Sequence, residues 1–167
     1  VPGFDKPPDQ TRMNELIQKP QPSRIGYFIG WGICVFILGM FYVGYQQSPE
    51  LGWSLVVTWV LINGGLSALG AALALAHPVS ILAAFLAAPL TSLNPTIGAG
   101  MVVGLVESYL RKPKVTDFER LRDDIASFPM WWKNGVVRVL LIFFFANVGS
   151  AVGTYVAGAS IIQQILG

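Results

Sequence analysis

The chain has 167 residues, 53% of them hydrophobic and only 12% charged, and a formal net charge of +2. Ordinary soluble domains carry about 25% charged residues, so the composition excludes an average water-soluble fold, and the net charge is too small and too confined for a nucleic-acid binder. The one cysteine, Cys34, lies inside an apolar run, which excludes a disulfide framework and leaves it as a small packing residue.

Residues 1–24 contain Pro2, Pro7, Pro8, Pro20 and Pro22 and read as a polar, proline-rich linker with at most a short helix around 11–18. No basic-then-apolar signal pattern opens the chain, and it starts at Val1. The expectation is the membrane part of a longer protein, with a soluble domain preceding it. Processing of a complete small protein is the weaker alternative.

Residues 25–167 read as an all-α, polytopic helical membrane domain. The first apolar segment, 25–46, is long enough for the roughly 20 residues a spanning helix needs. Gly26, Gly30, Gly39 and Gly44 permit close helix approach, and Tyr27, Trp31, Tyr42 and Tyr45 suit an interfacial aromatic belt. A turn at 47–52 without Lys or Arg leads to a second span at 53–76, whose Gly- and Ala-rich second half suits tight packing in lipid. That helix is expected to be the central one.

The stretch 78–110 is apolar but cut by Pro78, Pro89, Asn94 and Pro95. Proline removes a backbone donor and clashes with the preceding turn, and each arm, 79–88 and 96–110, falls short of the roughly 17 residues a span requires. We therefore expect a re-entrant broken-helix hairpin with its tip at 89–95, bringing Thr91, Ser92 and Asn94 to mid-membrane depth. One kinked crossing is the competing arrangement. Thr116 and Glu119 then carry a capping-box signature, and Phe118, Leu121, Ile125 and Phe128 recur at helical spacing, predicting a short amphipathic interfacial helix over 116–128. Pro129 ends it and Trp131, Trp132 and Lys133 anchor it; a helix packed on the preceding soluble domain is the other reading.

The last apolar segment, 134–165, is longer than a bilayer requires. Its Gly149, Gly153 and Ala157 form a small-residue stripe for helix packing, within the chain or in a homodimer. Every Lys and Arg lies either before the first span or at 111–138, so the positive-inside tendency puts the N-terminus and 111–133 in the cytoplasm of a multi-pass cell-membrane protein.

Polar groups within lipid are candidate functional residues: Asn63, His77, Thr91, Ser92, Asn94, Glu107, Arg138 and Asn147. Glu107 and Arg138 both lie near the cytoplasmic boundary, which suggests an ion pair, although both could equally reach the headgroups. The helix start near Pro95 and Thr96, followed by Gly98 and Gly100, resembles the broken helices that bind anionic groups in transporters, but those glycines also serve plain helix packing. With His77 alone and no second Cys or His for Cys34, no zinc site is expected, nor any other metal or cofactor. Ser92 and His77 lack a G-x-S-x-G setting and, in a hairpin, sit at different depths, so no catalytic residue is assigned.

The run HPVSILAAFLAAPLTSLNPTIGAG, followed by GLVESYLRKPKVTDFERL and later NVGSAVGTYVAG, resembles the C-terminal integral-membrane region of the TraB/PrgY (pheromone-shutdown) family, in particular its archaeal members. The likeness covers residues 77–158, and more loosely PSRIGYFIGW. It implies a two-part architecture, in which a soluble domain related to Tiki-type metalloproteases precedes the membrane domain. The family's Gly-x-x-His motifs are absent, since His77 follows Ala74, Leu75 and Ala76, so protease activity does not transfer to this chain. Asn94, Pro95, Glu107, Arg111, Lys112 and Pro113 carry over as members of the pattern, without roles. The expected function is to anchor that soluble domain and to bind or inhibit a peptide pheromone or other ligand. The alternatives are a transport or channel module for an ion or small solute, and a passive anchor and dimerisation domain.

Overall fold

The computed structural model describes residues 24–94 and 96–167; the linker and short helix expected within 1–23, and the helix start expected at Pro95, lie outside the described residues. The described residues form helices and connecting turns: α1 (Arg24–Gln47), α2 (Pro49–Leu73), α3 (Pro78–Thr91), α4 (Ala99–Arg111), α5 (Val115–Glu119), α6 (Leu121–Ile125), a 3₁₀ turn (Phe128–Met130) and α7 (Gly135–Leu166). Three of them, α1, α2 and α7, are long and apolar enough to cross a membrane. Their 24, 25 and 32 residues correspond to about 36, 37 and 48 Å of helix. The fold is all-α, as the composition and hydropathy lead one to expect.

α1 and α2 are joined by Ser48 alone, a far tighter corner than the six-residue turn the sequence suggests. Ser48 caps α2, its Oγ accepting from Leu51 N at 3.0 Å, and Pro49 occupies the first turn, where a missing N–H costs nothing. Two glycines permit the corner. A Cβ on Gly44 would run into Leu55, and one on Gly52 would stand 3.0 Å from the backbone of Tyr45.

α2 is the central helix, packing on α1, α3 and α7; 39% of its most apolar window is buried, against 17% for α1. It runs antiparallel to α7 along its length. Gly70 abuts the Phe145 carbonyl, Gly149 the Leu66 carbonyl, and a Cβ on Gly153 would lie 2.7 Å from Asn63 Cα. Ala157, fully buried, continues the row among Leu55 and Trp59. The Gly149, Gly153 and Ala157 stripe is thus occupied within the chain, by α2.

α3 and α4 form an antiparallel hairpin. Its base is closed where Glu107, near the end of α4, accepts from the backbone N–H of His77, at the start of α3, at 2.8 Å. Its tip lies against Asn63 and Ser150, near the midpoints of α2 and α7. The break falls at 92–98, later than expected, because Pro89 stays inside α3. Its carbonyl accepts the Trp59 indole N–H at 3.0 Å, and Gly64 packs against the carbonyl of Phe85, the one that loses its helical donor to the proline.

The segment after α4 also differs from expectation. Instead of one helix over 116–128, two five-residue helices meet at Arg120. The first starts at Val115 and not after Thr116, because Asp117 accepts from Lys114 N at 2.8 Å, which places the helix start two residues earlier. Val115, Phe118, Ile125 and Phe128 remain exposed, and Phe128 meets the stacked pair of Trp131 and Trp132, tilted against the first and edge-on to the second. Asn134 ties this segment to α7: its Oδ1 caps the helix through Val136 N and Val137 N, while its Nδ2 donates to Asp117 O and Asp124 Oδ2.

The bundle consequently has two unlike ends. Arg24 and all described cations from Arg111 to Arg138 lie at the end where α1 and α7 begin, and the Ser48 corner and the C-terminus, without Lys or Arg, lie at the other. Two apolar cores fill it. One, around Ala71, Ala84, Val103 and Ile142, lies at the hairpin level; the other, around Ile37, Leu55, Trp59 and Ile161, lies toward the cation-free end.

Candidate functional site

Between the two cores lies a belt of neutral polar side chains. Asn63, fully buried in α2, is its hub: its Oδ1 accepts from Ser92 Oγ at 3.1 Å and from Ser150 Oγ at 3.2 Å, and its Nδ2 donates to Thr154 Oγ1 at 2.9 Å. Ser92 and Ser150 also touch, 2.9 Å apart, and Thr154 donates to the Ser150 carbonyl at 3.0 Å. Three elements, α2, the hairpin tip and α7, are therefore joined by one amide and three hydroxyls. Such groups cost little to bury once mutually bonded, and much more if left unpaired.

The neighbouring asparagines shape the tip. Asn147 Oδ1 accepts from Gly100 N at 2.9 Å, replacing a partner that the first turn of α4 lacks. A Cβ on Gly100 would run into the Phe143 carbonyl as well as Asn147, and one on Gly98 would meet the end of the Asn147 side chain. Asn94 Oδ1 accepts from Thr96 N at 3.0 Å and holds the turn, whereas Thr91 Oγ1 folds back on the Ala87 carbonyl of its own helix. Thr91, Ser92, Asn94, Asn147, Ser150 and Thr154 line a cavity of about 240 Å³.

The remaining candidates occupy the hairpin base, about 20 Å away along α3. His77 caps α3, its Nδ1 accepting from Val79 N at 3.2 Å. Ser92 and His77 thus stand at opposite ends of one helix, and no hydroxyl–imidazole pair forms. Glu107 is fully buried. Its Oε1 lies 3.1 Å from Arg111 Nε, with the N–H turned off the line between them, so charge more than hydrogen-bond direction holds the pair. Arg111 also reaches the Leu75 carbonyl at 3.3 Å. The suggested Glu107–Arg138 ion pair gives way to this one because Arg111 is one turn on along the same helix; Arg138 instead donates to the Trp132 carbonyl at 3.3 Å.

Ser150 and Thr154 were not among the sequence candidates. With Asn147 they recur at helical spacing on α7, a polar stripe within an apolar span that would have singled them out. Arg111 entered only through the family pattern.

The chain matches the model of the TraB family protein C-terminal domain over residues 25–166. It is 33% identical over 148 residues to the uncharacterized protein MJ1365 of Methanocaldococcus jannaschii, an alignment that covers 84% of this chain and 37% of that relative. The chain thus spans well under half the length of the curated relative it matches. No solved structure matches it. The chain belongs to the TraB family and comprises that family's C-terminal domain.

Proposed function

We propose that this chain is the membrane-embedded part of a two-part protein of the cell membrane, anchoring a soluble, metalloprotease-like domain and holding a polar ligand pocket at mid-bilayer depth. The observation that carries the reading is the hairpin: base closed on itself by Glu107 and His77, tip bonded to the midpoints of two helices able to cross a membrane. A hairpin so placed enters the bilayer and leaves on the same side. Irregular backbone at that depth requires cover by protein or a water-lined cavity, which the belt around Asn63 and the adjoining cavity would supply. The cationic end faces the cytoplasm, and a peptide or other ligand is bound at the tip.

Cysteine labelling tests this in a Cys34→Ala background. Glu50→Cys should react with an impermeant reagent only from outside intact cells, and Lys112→Cys and Arg122→Cys only from the cytoplasm. Labelling of positions 50 and 112 from one side would sink the arrangement. The polar cavity also favours a second reading, passage of an ion or small solute past Asn94. That reading expects flux in liposomes that Asn94→Leu abolishes, and fails if the unaltered protein conducts nothing.

A further inference from the structure

The polar cavity at the hairpin tip has an apolar neighbour. α1 leans on α2 and hardly touches α7, so a groove of about 520 Å³ opens between α1 and α7, within the usual range for small-molecule sites. Its walls are apolar: Ile33, Phe36, Ile37 and Met40 on one side, Tyr155 and Ile162 on the other. Its floor is not, because Ser92 and Thr154 line both this groove and the 240 Å³ polar cavity. The two spaces meet at those hydroxyls, in the middle of the bundle.

The hydrogen-bond inventory specifies what the floor accepts. Three hydroxyl protons are available from Ser92, Ser150 and Thr154, and each has an acceptor within the cluster. Thr154 donates to the Ser150 carbonyl, while Ser92 and Ser150 share two protons among three contacts, two to Asn63 Oδ1 and one to each other. Each hydroxyl oxygen carries two lone pairs, so Ser92 and Thr154 retain acceptor capacity while their protons have partners within the cluster. Beyond them, Asn147 and Asn94 line the polar cavity, their amide oxygens occupied by Gly100 N and Thr96 N. A group arriving through the groove meets the hydroxyls of Ser92 and Thr154 first and the amides of the polar cavity beyond them. A hydroxyl satisfies both, as one donor and an acceptor. A carboxylate has no proton for Ser92 and Thr154, and no cationic side chain among the described residues lines either space to compensate its charge. A bare hydrocarbon leaves the floor unpaired.

The geometry points to a binding site for an uncharged, single-chain amphiphile with a hydroxyl head, drawn laterally from the membrane, its chain between α1 and α7 and its hydroxyl on Ser92 and Thr154. This deepens the ligand-pocket reading and rests on the placement of the hairpin tip within the bilayer.

The test uses the whole chain in nanodiscs with a diazirine-bearing hexadecanol, and maps labelled peptides by mass spectrometry. Labelling should concentrate on α1 and α7 around residues 33–40 and 154–162. Excess hexadecanol should suppress it at least fivefold, with hexadecane and palmitate suppressing it less than twofold. Gly158 lines the groove, and a Cβ there meets nothing within 4 Å, so Gly158→Leu should fill the groove without unfolding the bundle and reduce labelling at least fivefold. Thr154→Val should erase the preference for hexadecanol over hexadecane, and Thr154→Ser should restore it. Even labelling over the outward face of α1, equal competition by hexadecane or palmitate, displacement by an apolar peptide but not by the alcohol, or full labelling of Gly158→Leu would each overturn the proposal. If cysteine labelling gives the expected sidedness while alcohol preference is absent, this inference fails alone; reversed sidedness removes the pocket reading itself.

Discussion

The two ends of the α3–α4 hairpin are held by opposite chemistry. At the base a buried carboxylate, Glu107, joins the start of the hairpin to its end through His77 N and Arg111. At the tip no charge is used, and the Ser92 hydroxyl bonds to Asn63 and Ser150 on the flanking helices. The base closes the hairpin; the tip docks it. The difference follows from access to water. Arg111 is 30% exposed and can keep part of its hydration, whereas a charge at the level of Asn63 would be enclosed by packed helices.

Breaking the base should therefore be the more damaging change. Glu107→Leu leaves the His77 N–H and Arg111 without their partner and should cost about 3 kcal/mol, the low end for breaking a buried pair because Arg111 still reaches water. Reversible unfolding in mixed micelles measures it. Asn63→Leu removes three hydrogen bonds at the tip yet should cost only about 1.5 kcal/mol, since the hydroxyls can re-pair and interhelical hydrogen bonds in membrane proteins are individually modest. A tip loss exceeding the base loss would invert the comparison. Asn147→Ala orphans Gly100 N and should cost about 1 kcal/mol, with hydrogen exchange rising at residues 99–101 before any change near His77. Ser150→Ala, with Ser92 still free to bond Asn63, should cost about 0.6 kcal/mol. A double variant of Glu107→Leu and Asn63→Leu should be additive within about 0.5 kcal/mol; strong coupling would mean that closing and docking are one event.

The same contrast separates what could be read from residues alone. The three long helices, the all-α class and the concentration of cations at one end were evident because hydropathy, helix length and charge accumulate along the chain without reference to neighbours. A break was also evident, but its place was not: it was expected at 89–95 and falls at 92–98. Proline chemistry forecast the break at Pro89, and Trp59, thirty residues earlier, supplies the hydrogen bond that accompanies its place in the helix. Likewise the Gly149 stripe announced a packing face without saying whose, and the neighbour proved to be α2.

Among the candidate residues, six of the polar positions divided into Asn63, Ser92, Asn94 and Asn147 at the tip and His77 and Glu107 at the base. Ser150 and Thr154 were not among the candidates, because their part in the cluster is made by Asn63, which meets both hydroxyls only across helices.

Residue by residue, then, the sequence determined that this chain is helical, lipid-compatible, basic at one end and interrupted by prolines, since each is a property of a segment by itself. Only the tertiary structure decided that Glu107 takes Arg111 rather than Arg138, that one asparagine gathers three hydroxyls from two other elements, and that α1 stands off from α7. Those outcomes depend on which groups meet across helices, where a few ångströms decide whether a polar atom finds a partner or a cavity opens beside it.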